Sequence, residues 1–193
     1  MLGFKLALFL ALAVGNHAVP SLEDFLYSLN TTQKLWMYQR NYTVPTKEGA
    51  ANHECLFATK VYLNSTDYEF TQNFTDGPIK MQTRLYAKLG IDEQGPYMLA
   101  GHEQGKSELK YTLRAWYPQD RCGVLTFYKL DVPPQLFTGC ELLVWDQFID
   151  GPIEECLKMY NDICRGRTHR VYWMATCRKT HIDTSENSSA HCR

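Results

Sequence analysis

Nowhere in the 193 residues is there an apolar run long enough to cross a bilayer, which takes about 20 consecutive residues. The run Leu6 to Val14 behind Lys5 has instead the length and the basic flank of a secretory signal-peptide core. Cleavage is expected after Gly15 or Ala18, so residues 1–18 are assigned to a signal peptide. Charge of one sign is also missing. The net charge is −1 with no long basic or acidic stretch, which argues against nucleic acid and anionic membrane surfaces as partners. No Gly-rich phosphate loop and no Ser/His/Asp arrangement stands out. The six histidines (His17, His53, His102, His169, His181 and His191) have no ligand spacing for a metal or haem. The chain is read as a non-enzyme without cofactor or metal.

What is present is the make-up of one extracellular domain. A hydrophobic content of 45% supports a single sizeable core. Seven cysteines read first as disulfides in an oxidising compartment. Five Asn-X-Ser/Thr sequons, at Asn30, Asn41, Asn64, Asn73 and Asn187, agree with secretion. The expected location is extracellular, with no membrane insertion.

The interior reads as a succession of short strands. Ser21-Leu-Glu-Asp opens a short helix with a Ser21–Asp24 capping pair and an apolar stripe of Leu22, Phe25, Leu26 and Leu29. An alternating segment follows at 35–42. Further β runs are expected at about 54–63, 66–74, 78–88, 96–100, 107–116, 121–128 and 140–146, most separated by turn residues. A helix is expected from Pro152 to Arg165, buried through Leu157, Tyr160 and Ile163, then a strand His169 to Trp173 and a loose polar tail. Even spacing of this kind suggests a sandwich or an up-and-down barrel.

Period-two alternation assigns faces. Trp36, Tyr38, Arg40 and Tyr42 share one, and a glycan on Asn41 would turn that face inward. Tyr68, Phe70 and Phe74 lie opposite Asn73 and so point in. Ile79, Met81, Leu85 and Ala87 are expected inside, as are Leu109, Tyr111, Leu113 and Ala115. Gly123, Leu125 and Phe127 share a face, and so do Glu141, Leu143 and Trp145. The inner surface is then aromatic and aliphatic, either filling the barrel or lining a cavity within it. An inward Arg40 needs a partner. Pairing with Glu141, meeting an anionic ligand head, and stacking on Trp36 all remain open.

The stretch from Cys122 to Cys156 carries a resemblance. Its second strand, Glu141-Leu142-Leu143-Val144-Trp145, is apolar on both faces except for one acid, so something covers its outside. Cys122-Gly123-Val124, then Glu141-Leu142-Leu143, then Cys156 resembles the end of a tick salivary lipocalin, the family that includes the histamine-binding proteins. The resemblance implies an all-β fold with flanking helices: an eight-stranded antiparallel lipocalin-type barrel, a short N-terminal helix, and a C-terminal helix packed on the barrel. It places the lipocalin domain at 19–178 and a polar tail at 179–193. It also implies disulfides Cys55–Cys177 and Cys122–Cys156, with Cys140–Cys164 as a third pair and Cys192 left over.

Family amine binders carry an acid at the position of Gly123 and Trp or Tyr at that of Leu143. Loss of that acid, aromatic face and bulk is expected to weaken amine binding and enlarge an apolar lumen. Three functions follow from the resemblance: a trap for an apolar host mediator (eicosanoid, fatty acid or sterol), a histamine or serotonin trap using Glu141, or an immunomodulator that binds a host protein or immune cell surface. The first is favoured, for a monomer with a small molecule in its barrel.

Overall fold

The structure, a computed structural model, describes residues 19–44, 53–133 and 138–182. The expected signal peptide, Asn187, Cys192 and the tail beyond residue 182 lie outside the described residues.

The chain runs α1 (Leu22–Leu29), β1 (Leu35–Arg40), β2 (Glu54–Leu63), β3 (Asp67–Asp76), β4 (Ile79–Asp92), β5 (Gly95–Gly101), β6 (Leu109–Tyr117), β7 (Cys122–Lys129), β8 (Thr138–Trp145), α2 (Glu154–Ile163), β9 (His169–Arg170) and α3 (Met174–Ile182). Strands β2 to β8 each pair with the next, β8 pairs back with β1, and β1 with β2, which closes an eight-stranded antiparallel barrel. This is the lipocalin fold. Two strand ends differ from expectation by more than two residues: β4 extends to Asp92, and the last strand covers only His169–Arg170. The segment expected to begin a loose tail is instead the end of α3.

Helix α1 closes one end of the barrel. Ser21 Oγ accepts from the Asp24 amide at 3.1 Å and Asp24 Oδ2 accepts from the Ser21 amide at 2.8 Å, the reciprocal cap expected. Phe25 and Leu29 then reach into the barrel, where they pack with Leu35, Tyr68 and Trp145. The Trp145 indole donates to Ser28 O at 3.0 Å, tying β8 to the plug.

A second apolar layer lies outside the barrel under α2. It contains Trp36, Tyr38, Phe57, Val124, Leu142, Val144, Met159, Tyr160 and Tyr172. Here is the cover that β8 required: Leu143 and Glu141 face in, while Leu142 and Val144, fully buried, face α2. Burying each such side chain stabilises the fold by roughly 1.5–3 kcal/mol. The disulfides Cys55–Cys177, Cys122–Cys156 and Cys140–Cys164 run through the same layer.

The seam of the barrel has its own arrangement. Strand β1 meets β2 only at Leu35 and Trp36; further on, Gln39 and Arg40 pair with β9 instead. The Val171 amide donates to Tyr38 O at 3.0 Å, and the Cys55 amide donates to Val171 O at 3.0 Å. The segment 169–171 is thus wedged between β1 and the start of β2, and Cys55–Cys177 holds it there.

Candidate ligand-binding site

The barrel is packed at the plugged end and hollow toward the other. An inner chamber of about 110 Å³ is lined mainly by apolar groups, including Leu35, Met37, Leu56, Phe70, Leu85 and Leu143. An outer chamber of about 740 Å³ is lined by Arg40, Tyr42, His53, Phe74, Phe127 and Lys129, among others. Leu56, Gln72, His102, Leu109, Tyr111 and Glu141 line both, so the two chambers adjoin. Polarity rises from floor to mouth.

Two β-bulges decide which side chains see this cavity. In β1, Met37 lies opposite Leu143 and Gln39 opposite Leu142, leaving Tyr38 as the extra residue. Alternation therefore reverses within the strand. Leu35 and Met37 face in before the bulge; Arg40 and Tyr42 face in after it. Trp36 and Tyr38, expected inside, lie in the outer layer instead. The Trp36 indole donates to Asp146 Oδ1 at 2.5 Å, and its ring meets Phe57 and Tyr172 at 4.7 and 4.9 Å between centroids. Tyr38 carries the Arg170 guanidinium 4.5 Å from its ring centre. Stacking of Arg40 on Trp36 is thereby excluded.

In β6, Leu113 lies opposite Leu125 and Ala115 opposite Val124, so Arg114 is extra. Ala115, expected inside, turns to the outer layer, and Trp116 turns in. That ring fills the room left at Gly123: a Cβ there would stand 3.2 Å from Trp116 and 3.3 Å from Leu113. The bulk missing at Gly123 therefore does not enlarge the lumen, contrary to expectation, whereas Leu143 does line the inner chamber.

The other expected site residues divide three ways. Phe70, Leu85, Tyr111, Glu141 and Leu143 line the inner chamber, while Tyr111 and Glu141 also join Arg40, Tyr42, Phe74 and Phe127 in the outer one. Leu113, Leu125 and Trp145 point in but belong to the packed floor under α1. Met81 is a correction: it is 42% exposed, because the β3–β4 hairpin carries it beyond the barrel rim. Sequence reasoning missed Met37, Leu56, Gln72, Met98, His102 and Lys129. Alternation along β2 marks Leu56 with Ala58; nothing local marks Met37, since the Tyr38 bulge decides its face.

Glu141 and Arg40 are paired residues on neighbouring strands. Both are buried, at 4% and 1% exposure. The Tyr42 hydroxyl donates to Glu141 Oε1 at 2.5 Å, and Tyr42 and Tyr111 close on Phe127 at 5.1 and 4.9 Å between ring centres. Gly139 makes room for this cluster, since a Cβ there would fall 2.2 Å from the Phe127 ring. Burial raises the Glu141 carboxyl to about 7, against the lowering pull of the Tyr42 hydroxyl and Arg40. Burial, followed by the Glu141 charge, raises the Tyr111 phenol. Desolvation lowers the His53 imidazole, with Asp76 opposing and Arg40 reinforcing.

Outside the barrel, the sequons sit in different settings. Asn30 is exposed. The Asn41 side-chain amide links β8 to the segment after α2, donating to Arg165 O at 2.9 Å and accepting from the Cys140 amide at 2.8 Å. Asn64 caps its turn, accepting from the Thr66 and Asp67 amides, and Asn73 accepts from Gln82 on β4.

The placement of Trp36 outside the barrel gives a direct test. Trp36→Phe is expected to lower stability by about 1–3 kcal/mol through the lost Asp146 bond, while leaving the affinity of any lumen ligand unchanged. Thermal melts beside ligand titrations check this, and a large affinity loss at full stability would return Trp36 to the lumen.

No protein-family model matches the chain, and no curated protein matches it in sequence. Solved structures do match in fold. AM182, in its serotonin complex, superposes with a TM-score of 0.53 at 14% identity, covering 77% of this chain and 89% of its own. Japanin from Rhipicephalus appendiculatus, bound to cholesterol, gives 0.49 at 15% identity over 73% of this chain and 92% of its own. In fold, then, the chain is a lipocalin, of the architecture to which the tick salivary lipocalins belong.

Proposed function

We propose that the protein is a secreted carrier that takes a small, mainly apolar mediator into its barrel, and that it serves to remove such mediators where a parasite meets its host. The observation that carries this reading is the graded cavity: a mainly apolar inner chamber adjoining a wider one that adds Arg40, His53 and Lys129 to its lining. Such a gradient suits a molecule with one apolar and one polar end. The role at a host interface rests on the resemblance to tick salivary lipocalins. Secretion agrees with three disulfides and with the absence, among the described residues, of any helix long and apolar enough to cross a membrane.

An amine ligand is the second reading, favoured by Glu141 and by the serotonin in the AM182 complex. Against it stands the Arg40 charge on the same wall, which repels an ammonium group. At Gly123 there is no second acid, and Trp116 occupies the space where one would sit.

Calorimetric titration with fatty acids, leukotrienes and cholesterol beside histamine and serotonin separates the readings. The amines are expected to bind at least about tenfold more weakly than the best apolar ligand, a difference of about 1.4 kcal/mol. Tight histamine binding that disappears in Glu141→Gln would reverse the order.

A further inference from the structure

Arg40 is the most exacting residue in the barrel. Its guanidinium is buried, and a buried cation needs acceptors. Nη2 donates to His53 O at 3.2 Å, and the Tyr42 ring lies 5.0 Å away. Nε and Nη1, also buried, have no hydrogen-bond partner among the described residues. Glu141, the obvious counter-charge, stands opposite on β8 but is engaged by the Tyr42 hydroxyl and forms no ion pair with Arg40. A permanent charge and a carboxyl thus share the outer chamber without neutralising each other.

We infer, building on the carrier reading, that Arg40 is the head-group anchor for an acidic amphiphile: its unpartnered N–H groups take the ligand carboxylate, and Glu141 holds a proton while they do. Guanidinium–carboxylate bonds are among the strongest a protein makes. The tail of such a ligand lies along Leu56 and Phe70 into the inner chamber. Two carboxylates facing one guanidinium away from water cannot both stay charged. The ligand arrives ionised, so Glu141 gives way by taking a proton from solvent. Its position near neutrality in the empty barrel makes that step easy.

Capture is therefore linked to pH. As pH falls through the Glu141 transition, more molecules already carry the proton that binding requires, and affinity for the acid rises. Other ionisable groups face this cluster. Tyr42 and Tyr111 flank Glu141; His53, His102 with Glu108, and Lys129 lie around the chambers. His169 pairs with Arg40 from β9, and Tyr160 approaches Glu141 from α2. Histidine protonation would also favour an acid, so the decisive control is at Glu141 itself.

The experiment titrates the full secreted protein with submicellar dodecanoate and, in parallel, with dodecanol. Dodecanoate is expected to bind about ten- to thirtyfold more tightly at about pH 6.5 than at about pH 8.5, with dodecanol unaffected. Glu141→Gln, a neutral isostere, is expected to hold the acid affinity at its low-pH level throughout. Arg40→Met is expected to lose at least about tenfold more affinity for the acid than for the alcohol; Arg40→Lys, which keeps the charge, is expected to recover part of that difference. Acid affinity that is flat with pH, that rises with pH, or that survives in Arg40→Met overturns the anchor. Equal binding of acid and alcohol under all conditions does so while leaving the carrier reading intact. If neither ligand binds, the anchor falls, and the titrations with leukotrienes and cholesterol decide the carrier reading separately.

Discussion

Replacing Cys55 and Cys177 together by alanine is expected to lower the unfolding free energy by about 5 kcal/mol, the largest effect of any disulfide in the protein. The bridge spans a sequence separation of 122, and loop-closure entropy for a ring of that length amounts to about 5 kcal/mol at room temperature. Cys140–Cys164, with a separation of 24, is worth about 3.5 kcal/mol by the same reasoning. Whole domains are stable by roughly 5–15 kcal/mol, so the first variant should be close to unfolding.

Position adds to the entropy. Cys55–Cys177 pins the segment that fills the seam between β1 and β2, beside Arg40. Cys55 is also held at a positive φ of 51°, a conformation its surroundings must enforce. Denaturant melts of the two double-alanine variants, with ligand titration where folding permits, test this. Equal loss of stability, or an intact ligand site in a protein lacking Cys55–Cys177, would show that the seam does not depend on the bridge.

Glu141→Gln is expected to stabilise the protein above neutral pH by about 3 kcal/mol, an unusual gain from a substitution inside a binding site. The Glu141 carboxyl titrates at about 7 in the fold, against an ordinary value of 4.5. Between those values the folded chain keeps a proton that the unfolded chain has lost. Native stability therefore falls as pH rises from about 4.5 to about 7 and stays low above that. The total penalty is about 3 kcal/mol. Glutamine carries no such charge, and its Oε1 still accepts from Tyr42. The advantage of the variant should shrink toward zero below about pH 4.5. Urea melts across this range read it directly. A constant difference at all pH values would mean that packing, and not the buried charge, separates the two proteins. The group that weakens the fold is the one assigned to respond to the ligand, as expected of a site held away from its stability optimum.

Much of this protein is legible in its sequence. The strand positions follow from alternation and turn residues, and the α1 cap from Ser21 and Asp24. The two-sided apolar character of 142–145 announces an outer cover, which α2 supplies. Cysteine content points to disulfides, and the resemblance at Cys122 to Cys156 gives both the barrel and the observed pairings. All of these are either local patterns or a motif.

The binding site is only half legible, because a face assignment by alternation holds only until a bulge. One extra residue at Tyr38 sends Trp36 and Tyr38 out and brings Met37 in, while Arg40 faces in as expected; one at Arg114 exchanges Ala115 for Trp116. Neither bulge has a local signature. Each exists because a neighbouring strand, set by distant sequence, offers one residue against two. The overhang of the β3–β4 hairpin, which leaves Met81 in solvent, is likewise a matter of where other strands end. Sequence alone therefore determined the barrel and supplied Glu141 and Arg40 to it. Tertiary structure decided that the two would share a wall without pairing: strand pairing sets them opposite each other, while Tyr42 and His53 take up their nearest hydrogen bonds.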